Sequence, residues 1–365
     1  MRSSTSSFER PVPQGRWVPV FVGALAVCLL FIAVMELRLA IRGFHATASD
    51  SETSWLIQRK RASALGEQAL ILAGSSRMLL DIDLDVLRER SGLEPVQLAI
   101  DGTSFIPILE NLAADPTVRG TVLVSYEDMM IAGHEGDKAA HAYLKAWTRA
   151  VEAHHVPDFA LTEGLLTDWL HAHLRSYADG ARPMTTLRIR LLARQPTPQY
   201  LYTLAGRSRL ADYTKVPMPE FYYGRVQRAL GRDVAVRAGM TWSDLDAEIR
   251  RQIVAMPAAD ATLFDERLRS IATLVEQIES RGGRVAFVAL PMDGLMRLID
   301  DARYPRERFW NRFVQDVKVA AIQTRDDPSL AGFRCPDGSH LDYRDRGRFT
   351  AALAGVLGLG NPASR

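Results

Sequence analysis

The sequence predicts an α/β protein whose parallel sheet is covered by helices on both faces, as a three-layer sandwich behind one transmembrane helix. Three observations favour this class. An uncharged apolar run of about 19 residues, Trp17 to Met35, is long enough as a helix to cross a bilayer. Short apolar runs then alternate with amphipathic segments, which is typical of parallel strands buried on both faces. A long middle stretch carries helical periodicity with little strand pattern, which indicates a helical insertion.

Composition excludes some classes of protein. The chain has 365 residues, of which 47% are hydrophobic and 24% charged, as expected of a folded protein with a sizeable core. The 45 basic residues nearly balance the 43 acidic ones, so the charge gives no reason to expect a nucleic-acid partner. Cys28 and Cys335 stand far apart, and we expect no disulfide.

The N-terminal part divides into three predicted segments: a cytoplasmic tail (1–16), a transmembrane helix (17–41) and a juxtamembrane linker (42–66). A cleaved secretory signal would need a shorter apolar run with a small-residue site close behind it. Basic residues slightly favour a cytoplasmic N-terminus, because Arg2, Arg10 and Arg16 precede the helix whereas Arg38 and Arg42 follow it. We therefore expect a single-pass protein of the inner membrane with its large domain on the periplasmic side.

The rest of the chain is predicted to form one α/β core in two halves, 67–130 and 262–365, separated by the helical insertion 131–261. The apolar runs predict strands over Leu70–Ala73, Pro95–Ile100, Thr121–Val124 and Val285–Leu290. The periodic segments predict helices over Asp83–Arg90, Phe105–Leu112, Leu263–Ile278 and Phe309–Val317, and a last helix near the C-terminus.

Polar residues follow three of these strands. They are Gly74-Ser75-Ser76-Arg77, Asp101-Gly102 and Glu127-Asp128. Because the carboxyl ends of parallel strands meet at one edge of the sheet, and ligands bind there, we expect these residues to lie around one site.

The C-terminal segment Asp337-Gly338-Ser339-His340 places a carboxylate three residues before a histidine. On a tight turn this spacing lets Asp337 hold the imidazole of His340 through Nδ1 and leaves Nε2 free to take a proton. Ser76 could supply that proton as the nucleophile, and backbone amides at the start of the following helix could stabilise developing negative charge.

These motifs resemble the SGNH (GDSL-like) hydrolase family, with a nucleophile motif after the first strand and a D-x-x-H motif before the last helix. The resemblance covers Ala69–Tyr126 and Val285–Leu357 but not the insertion. It implies a flavodoxin-like sandwich, a triad of Ser76, His340 and Asp337, and an oxyanion hole from the amides of Ser76 and Gly102. It implies no cofactor. The anchored form is most similar to proteins of polysaccharide O-acetylation, including those that work beside membrane-bound O-acyltransferases.

One position departs from the family pattern. Where the family offers an asparagine to the oxyanion after the third strand, this chain has Glu127 and Asp128. An ionised carboxylate cannot donate a hydrogen bond and would repel an oxyanion. Either another donor replaces the asparagine, or the enzyme is slow, or the protein is no longer an enzyme. We expect Ser75, Arg77, Glu127 and Asp128 to line the site.

Simpler interpretations of these residues remain open. Ser75 and Ser76 could cap a helix, Asp337 and Gly102 could be turn residues, and His340 could be an exposed loop residue. Arg77 is expected to pair with a carboxylate rather than to touch substrate. The remaining histidine pairs, His154-His155 and His171-His173, do not have the spacing of a metal site, and no metal is expected. Aromatic residues of the insertion favour core packing over a sugar-binding platform: Tyr200, Tyr202, Tyr213, Phe221, Tyr222, Tyr223 and Trp242.

The sequence therefore predicts a membrane-anchored O-acyltransferase or esterase acting on a cell-surface or secreted polysaccharide, with acetyl as the expected acyl group. The alternative is a catalytically weak or inactive accessory protein that binds a glycan or a membrane-bound O-acyltransferase.

Overall fold

The structure, a computed structural model, describes residues 15, 17–133, 137–152, 159–178, 198–231 and 239–359. Its α-helices are α1 (Trp17–Ile41), α2 (Glu52–Leu65), α3 (Ser76–Leu80), α4 (Leu84–Ser91), α5 (Ile106–Ala113), α6 (Asp128–Ala132), α7 (Asp137–Glu152), α8 (Phe159–His173), α9 (Glu220–Leu230), α10 (Trp242–Val254), α11 (Thr262–Glu279), α12 (Gly294–Arg303), α13 (Trp310–Val317) and α14 (Tyr343–Val356). Its strands are β1 (Ala69–Ala73), β2 (Glu94–Gln97), β3 (Thr121–Ser125), β4 (Leu201–Thr203), β5 (Arg209–Ala211), β6 (Arg284–Ala289) and β7 (Ala320–Gln323).

Five strands form a parallel sheet in the order β2-β1-β3-β6-β7. This sheet confirms the predicted α/β class, and β1, β2, β3 and β6 fall on the four apolar runs. Pro95 lies in β2, which is an edge strand. Proline has no N–H to donate, and an edge strand tolerates this because only one of its sides is hydrogen-bonded to a neighbour.

Helices cover both faces of the sheet because alternate strand residues point to opposite sides. On one face, Ile71, Val122 and Phe287 pack with buried residues of α2, α5, α11 and α13. On the other face, Leu70, Leu72 and Leu123 pack with α3, α4 and α14. The apolar runs are continuous because each strand residue has a core to fill.

Helix α11 has the amphipathic pattern that the sequence predicts. The five residues expected on one face are all buried in the core: Phe264, Leu268, Ile271, Val275 and Ile278. Apolar residues spaced three and four apart form a stripe on a helix, and that stripe is what fixes α11 against the sheet.

Helix α1 is long and apolar enough to cross a membrane, with a mean hydropathy of 2.8 over a window of which no residue is buried. The predicted tail, residues 1–16, lies outside the described residues except for Gly15. Of the two cysteines, Cys28 is exposed on α1 and Cys335 is buried.

The segment predicted as a linker, 42–66, contains the helix α2, which belongs to the core. Trp55 is fully buried and donates its Nε1 hydrogen to the carbonyl oxygen of Leu98 at 3.0 Å. Arg59 is also fully buried, with its Nη2 atom 3.0 Å from Asp115 Oδ2. Polar residues dominate the sequence of α2, so periodicity gave little sign of the buried face.

The chain between α1 and α2 is bonded to the insertion. His45 and Gln199 exchange two hydrogen bonds, from the His45 amide to Gln199 Oε1 (2.7 Å) and from Gln199 Nε2 to the His45 carbonyl (3.1 Å). The Ala48 amide donates to the Thr203 carbonyl at 2.8 Å, and the Thr203 amide donates to Thr47 Oγ1 at 2.9 Å. The juxtamembrane segment is therefore docked along β4.

The insertion, 131–261, contains the antiparallel hairpin β4–β5 besides its helices. The sequence predicts mainly helices here and does not indicate this hairpin. Each strand has only three residues, which is too short for an alternating pattern to stand out in the sequence.

Candidate active site

The turn after β1 brings Ser76 to the carboxyl edge of the sheet. Gly74 has a φ of 147°, and a Cβ atom at this position would lie 2.5 Å from Ser125 Cβ on the neighbouring strand β3. Only glycine fits such a close approach. The chain can then turn sharply from β1 into α3, whose first residue is Ser76.

The Asp337–His340 turn is closed by its own carboxylate. Asp337 Oδ1 accepts hydrogen bonds from the backbone amides of Ser339 (2.9 Å) and His340 (2.8 Å). Gly338 adopts a φ of 88°, and a Cβ there would lie 2.4 Å from Met296 Cγ. The turn therefore sets the aspartate and the histidine on one side, as the three-residue spacing predicts.

Two hydrogen bonds in series join Ser76, His340 and Asp337. His340 Nε2 lies 2.9 Å from Ser76 Oγ, and His340 Nδ1 lies 2.8 Å from Asp337 Oδ2. Asp337 and His340 are buried, whereas Ser76 is half-buried at the surface of the site. The structure thus brings together the three residues that the sequence proposes as nucleophile, base and acid.

The surroundings of Asp337 keep it ionised. Burial by itself would raise the pKa of this carboxyl, but the hydrogen bond and charge of His340 outweigh that effect. The nearby Arg225 guanidinium acts in the same direction, so the pKa of Asp337 is held well below its usual range. In a serine–histidine–carboxylate triad, an ionised carboxylate holds Nδ1–H in place and stabilises the imidazolium.

The insertion supplies two further contacts to Asp337 that sequence reasoning missed. The Tyr213 hydroxyl donates to Asp337 Oδ2 at 2.8 Å, and Arg225 Nε lies 3.1 Å from the same oxygen. Arg225 Nη2 also donates to Ser339 Oγ at 2.9 Å. Burial and the charge of Asp337 raise the pKa of Tyr213, which keeps its hydroxyl protonated as a donor. No spacing pattern links these residues to Asp337, because more than 100 residues separate them from it.

Glu127 lies beside the turn that follows β1, where it interacts with Ser75 and Arg77. The Ser75 hydroxyl donates to Glu127 Oε1, and Arg77 Nη2 lies 3.8 Å from Glu127 Oε2. All three residues are buried. Ser75 occupies the N-cap position of α3, but its side chain makes no capping hydrogen bond. The expectation that Arg77 braces a carboxylate is consistent with this pair.

Gly102 lies in an exposed turn just beyond β2, with a φ of 66°. The Ile100 amide donates to the Gly74 carbonyl at 3.0 Å, so this turn begins at the same edge of the sheet as Ser76. Within the described part of the chain no hydrogen bond joins Gly102 to the triad, and the space around its α-carbon is open.

Among the described residues, no hydrogen bond or ion pair joins Asp128 to the triad. It lines a neighbouring pocket with Arg77, Asp300 and Arg325, and it accepts a hydrogen bond from the Tyr126 hydroxyl. Burial raises the pKa of Asp128 to about 7, and the charge of Asp300 adds to this shift. Burial likewise raises the pKa of Asp300 to about 6.

The raised pKa of Asp128 gives a testable stability prediction. The unfolded state loses this proton near pH 4 and the native state only near pH 7, so folding stability is lost as pH rises through that window. Asp128→Asn, which has no charge to bury, should therefore raise the free energy of unfolding at about pH 8 by about 2–4 kcal/mol, and by almost nothing at about pH 4. Chemical denaturation at both pH values measures this difference.

The matched control is Asp301→Asn, because Asp301 is more exposed and pairs with Arg325 at 2.6 Å. Its effect should stay within about 0.5 kcal/mol at either pH. An Asp128→Asn effect of equal size at both pH values would contradict the assignment.

The histidines and aromatic residues of the insertion give no metal site. No group of three or more potential ligands that could hold a metal ion exists among the described residues. His173 Nδ1 lies 2.7 Å from the Trp169 carbonyl oxygen, and His171 packs on Tyr177. His154 and His155 lie outside the described residues. Tyr200, Tyr213 and Phe221 pack against one another, as the core interpretation expects.

A serine, a histidine and a carboxylate joined in this order are the arrangement by which unrelated folds carry out nucleophilic acyl transfer. The sequence matches no protein-family model and no curated protein. The function is therefore argued from the site.

Proposed function

We propose that this chain is a membrane-anchored SGNH-type O-acyltransferase or esterase that acts on acyl groups, with acetyl the expected one, of a cell-surface or secreted polysaccharide. The observation that carries the proposal is the pair of hydrogen bonds that joins Ser76, His340 and Asp337 in series at the carboxyl edge of the sheet.

The order and placement of the motifs support the SGNH assignment. The nucleophile motif follows β1, a central strand of the parallel sheet, and the D-x-x-H motif stands three residues before α14, the last described helix. Each motif alone is common. Their joint position at one edge of the sheet, in hydrogen-bonding contact, is what favours this family over a chance resemblance.

The first chemical step would form an acyl-enzyme. Ser76 Oγ attacks the carbonyl carbon of the ester, and its proton passes to His340 Nε2. The protonated His340 then gives this proton to the departing sugar hydroxyl as the ester C–O bond breaks. In the second step, water or another hydroxyl loses a proton to His340 and attacks the acyl carbon, and His340 returns that proton to Ser76 Oγ as the acyl–Oγ bond breaks. Hydrolysis and transfer differ only in that second acceptor.

The tetrahedral intermediate needs donors for its oxyanion. The amides of Ser76 and Gly102 are the proposed donors, because both lie at the same edge of the sheet. Glu127 replaces the asparagine of the family pattern, and its Oε1 atom is already bonded by Ser75 while Arg77 stands near its Oε2 atom. These contacts offset part of the negative charge that would otherwise oppose the oxyanion.

Glu127 is also the observation that favours the second candidate, an accessory protein that binds a glycan or a membrane-bound O-acyltransferase. A site without the usual third donor would lose about 10²–10³ in rate. The two candidates differ in whether Ser76 forms a covalent bond.

The proposed location follows from α1 and the flanking arginines. With a cytoplasmic N-terminus, the α/β domain would stand on the periplasmic side of the inner membrane, where exported polysaccharides pass. No step of the proposed chemistry draws on a cofactor.

A fluorophosphonate probe tests the proposal on the full chain in membranes. An activated serine reacts covalently with such a probe, whereas a structural serine does not. We expect labelling at Ser76, loss of labelling in His340→Ala, and release of acetate from acetyl esters by the wild type. Equal labelling of the His340→Ala variant, or no labelling of a folded wild type, would leave only the accessory function.

A further inference from the structure

An apolar face of α8 is exposed to solvent close to the end of α1. Leu165, Leu166 and Trp169 have exposed fractions of 45%, 59% and 56%. Spacings of three and four residues put these side chains on one face of the helix. The other described side chains of α8 are exposed or half-buried, so these three large apolar residues are not covered by the part of the chain that the structure describes.

The opposite side of α8 is fixed to the protein. Gly164 packs closely on Thr53, because a Cβ at Gly164 would lie 2.5 Å from Thr53 Oγ1. Asp168 accepts hydrogen bonds from the hydroxyls of Ser49 and Ser51. The exposed face therefore cannot be buried by rotating the helix without breaking these contacts.

The C-terminal end of α8 leads directly to the membrane helix. The backbone amides of Arg175 and Ser176, just beyond α8, donate to the carboxylate of Glu36 at 2.7 and 2.9 Å. Arg175 Nε also donates to the Phe44 carbonyl at 3.1 Å, and Ala178 packs on Leu39. This junction places the end of α8 at the level of Glu36.

Glu36 marks the boundary of the hydrocarbon layer. It is the first charged residue after the apolar run Trp17 to Met35, which spans about 30 Å as a helix. Trp169 and Leu165 precede Arg175 by six and ten residues, so they lie within about 15 Å of that boundary along the helix. Tryptophan and leucine are the residue types that occupy this zone of a bilayer.

We propose that the exposed face of α8 lies in the headgroup region of the same bilayer that α1 crosses, as an interfacial helix. We expect the binding of this face to a bilayer not to require anionic lipid, so that zwitterionic phosphatidylcholine is sufficient. Helix α8 has no lysine or arginine, and its charged residues are Glu163 and Asp168. Apolar burial rather than attraction to anionic headgroups would therefore hold it. This inference depends on α1 as a membrane span and not on the proposed enzyme activity.

The test uses the full chain in phosphatidylcholine nanodiscs, with Cys28→Ser to remove the exposed native thiol. Leu166→Cys places a bimane label on the apolar face. Thr167→Cys, on an exposed position outside that face, is the matched control. The native Cys335 is only 5% exposed and should not react in the folded protein.

We expect a nitroxide-bearing phosphatidylcholine to quench the label at Leu166→Cys about threefold more strongly than the label at Thr167→Cys, because only the apolar face reaches lipid. Aqueous iodide should show the opposite order. The pair Trp169→Cys and Glu163→Cys repeats the comparison at a second place on the helix.

Iodide quenching that is equal at both positions would mean that the face lies in water, and would overturn the proposal. Shielding of the Leu166→Cys label from both quenchers would mean that protein, such as a second copy, covers the face, and would overturn it as well. If the wild-type chain did not float with phosphatidylcholine vesicles, α1 would not hold it in a bilayer, and the proposal would be overturned.

Discussion

Replacing Ser76 by alanine is expected to lower the turnover of an acetyl ester by about 10⁴–10⁶-fold, because the attacking oxygen is lost. The protein should stay folded, since the Ser76 side chain is half-buried and its only described hydrogen bond is to His340. Release of acetate by purified full-length protein in detergent or nanodiscs measures the effect.

The neighbouring serine provides the control. Ser75 points to Glu127 rather than to the imidazole, so Ser75→Ala should keep most of the wild-type activity. If Ser75→Ala abolished turnover while Ser76→Ala kept it, the nucleophile would be misassigned by one residue and the motif alignment would be wrong.

Asp337→Asn is expected to lower turnover by about 10⁴-fold while leaving Ser76 in place. An asparagine amide can present N–H to His340 Nδ1, which favours the tautomer with its proton on Nε2. That tautomer cannot accept the Ser76 proton, so the base is lost. The variant also leaves the nearby Arg225 without its counter-ion. Activity assays with a melting curve for each variant separate lost catalysis from lost folding.

Tyr213→Phe is the graded comparison, because it removes one hydrogen bond to Asp337 and keeps the carboxylate. Its loss of activity should be much smaller than that of Asp337→Asn. A folded Asp337→Asn variant with near-wild-type turnover would show that the hydrogen bond to His340 has no part in the reaction.

The sequence predicts the centre of the fold well, because strands that are buried on both faces of the sheet consist of continuous apolar runs. The strands β1, β3 and β6 are runs of apolar residues that start or end at glycine or polar positions, and such runs have few other interpretations in a chain that alternates with helices. The triad residues follow from local spacing, since Asp337 and His340 share one turn and Ser76 follows a strand.

What the sequence does not predict depends on contacts between distant segments. The strand β7 consists of Ala320–Gln323 at the edge of the sheet. Its apolar run, residues 319–322, is only four residues long, follows closely on a predicted helix, and could equally continue that helix. Tyr213 and Arg225 reach Asp337 from the insertion, and their aromatic and basic character is equally suited to ordinary packing. The burial of Arg59 in α2 is likewise not apparent from the sequence, because it depends on Asp115, a distant residue, and because most residues of α2 are polar.

The docking of the segment between α1 and α2 limits how far the α/β domain can move relative to α1. A flexible tether of about ten residues would let a domain wander by roughly 17 Å. Here the hydrogen bonds of His45 to Gln199 and of Ala48 to Thr203 hold this segment against the insertion, so it cannot act as such a tether. For a chain held in a bilayer by α1, Ser76 then keeps a constant height above the lipid. Under the proposed function, encounters with a polysaccharide would depend on lateral diffusion and on delivery of the polymer to that height, not on the reach of the domain.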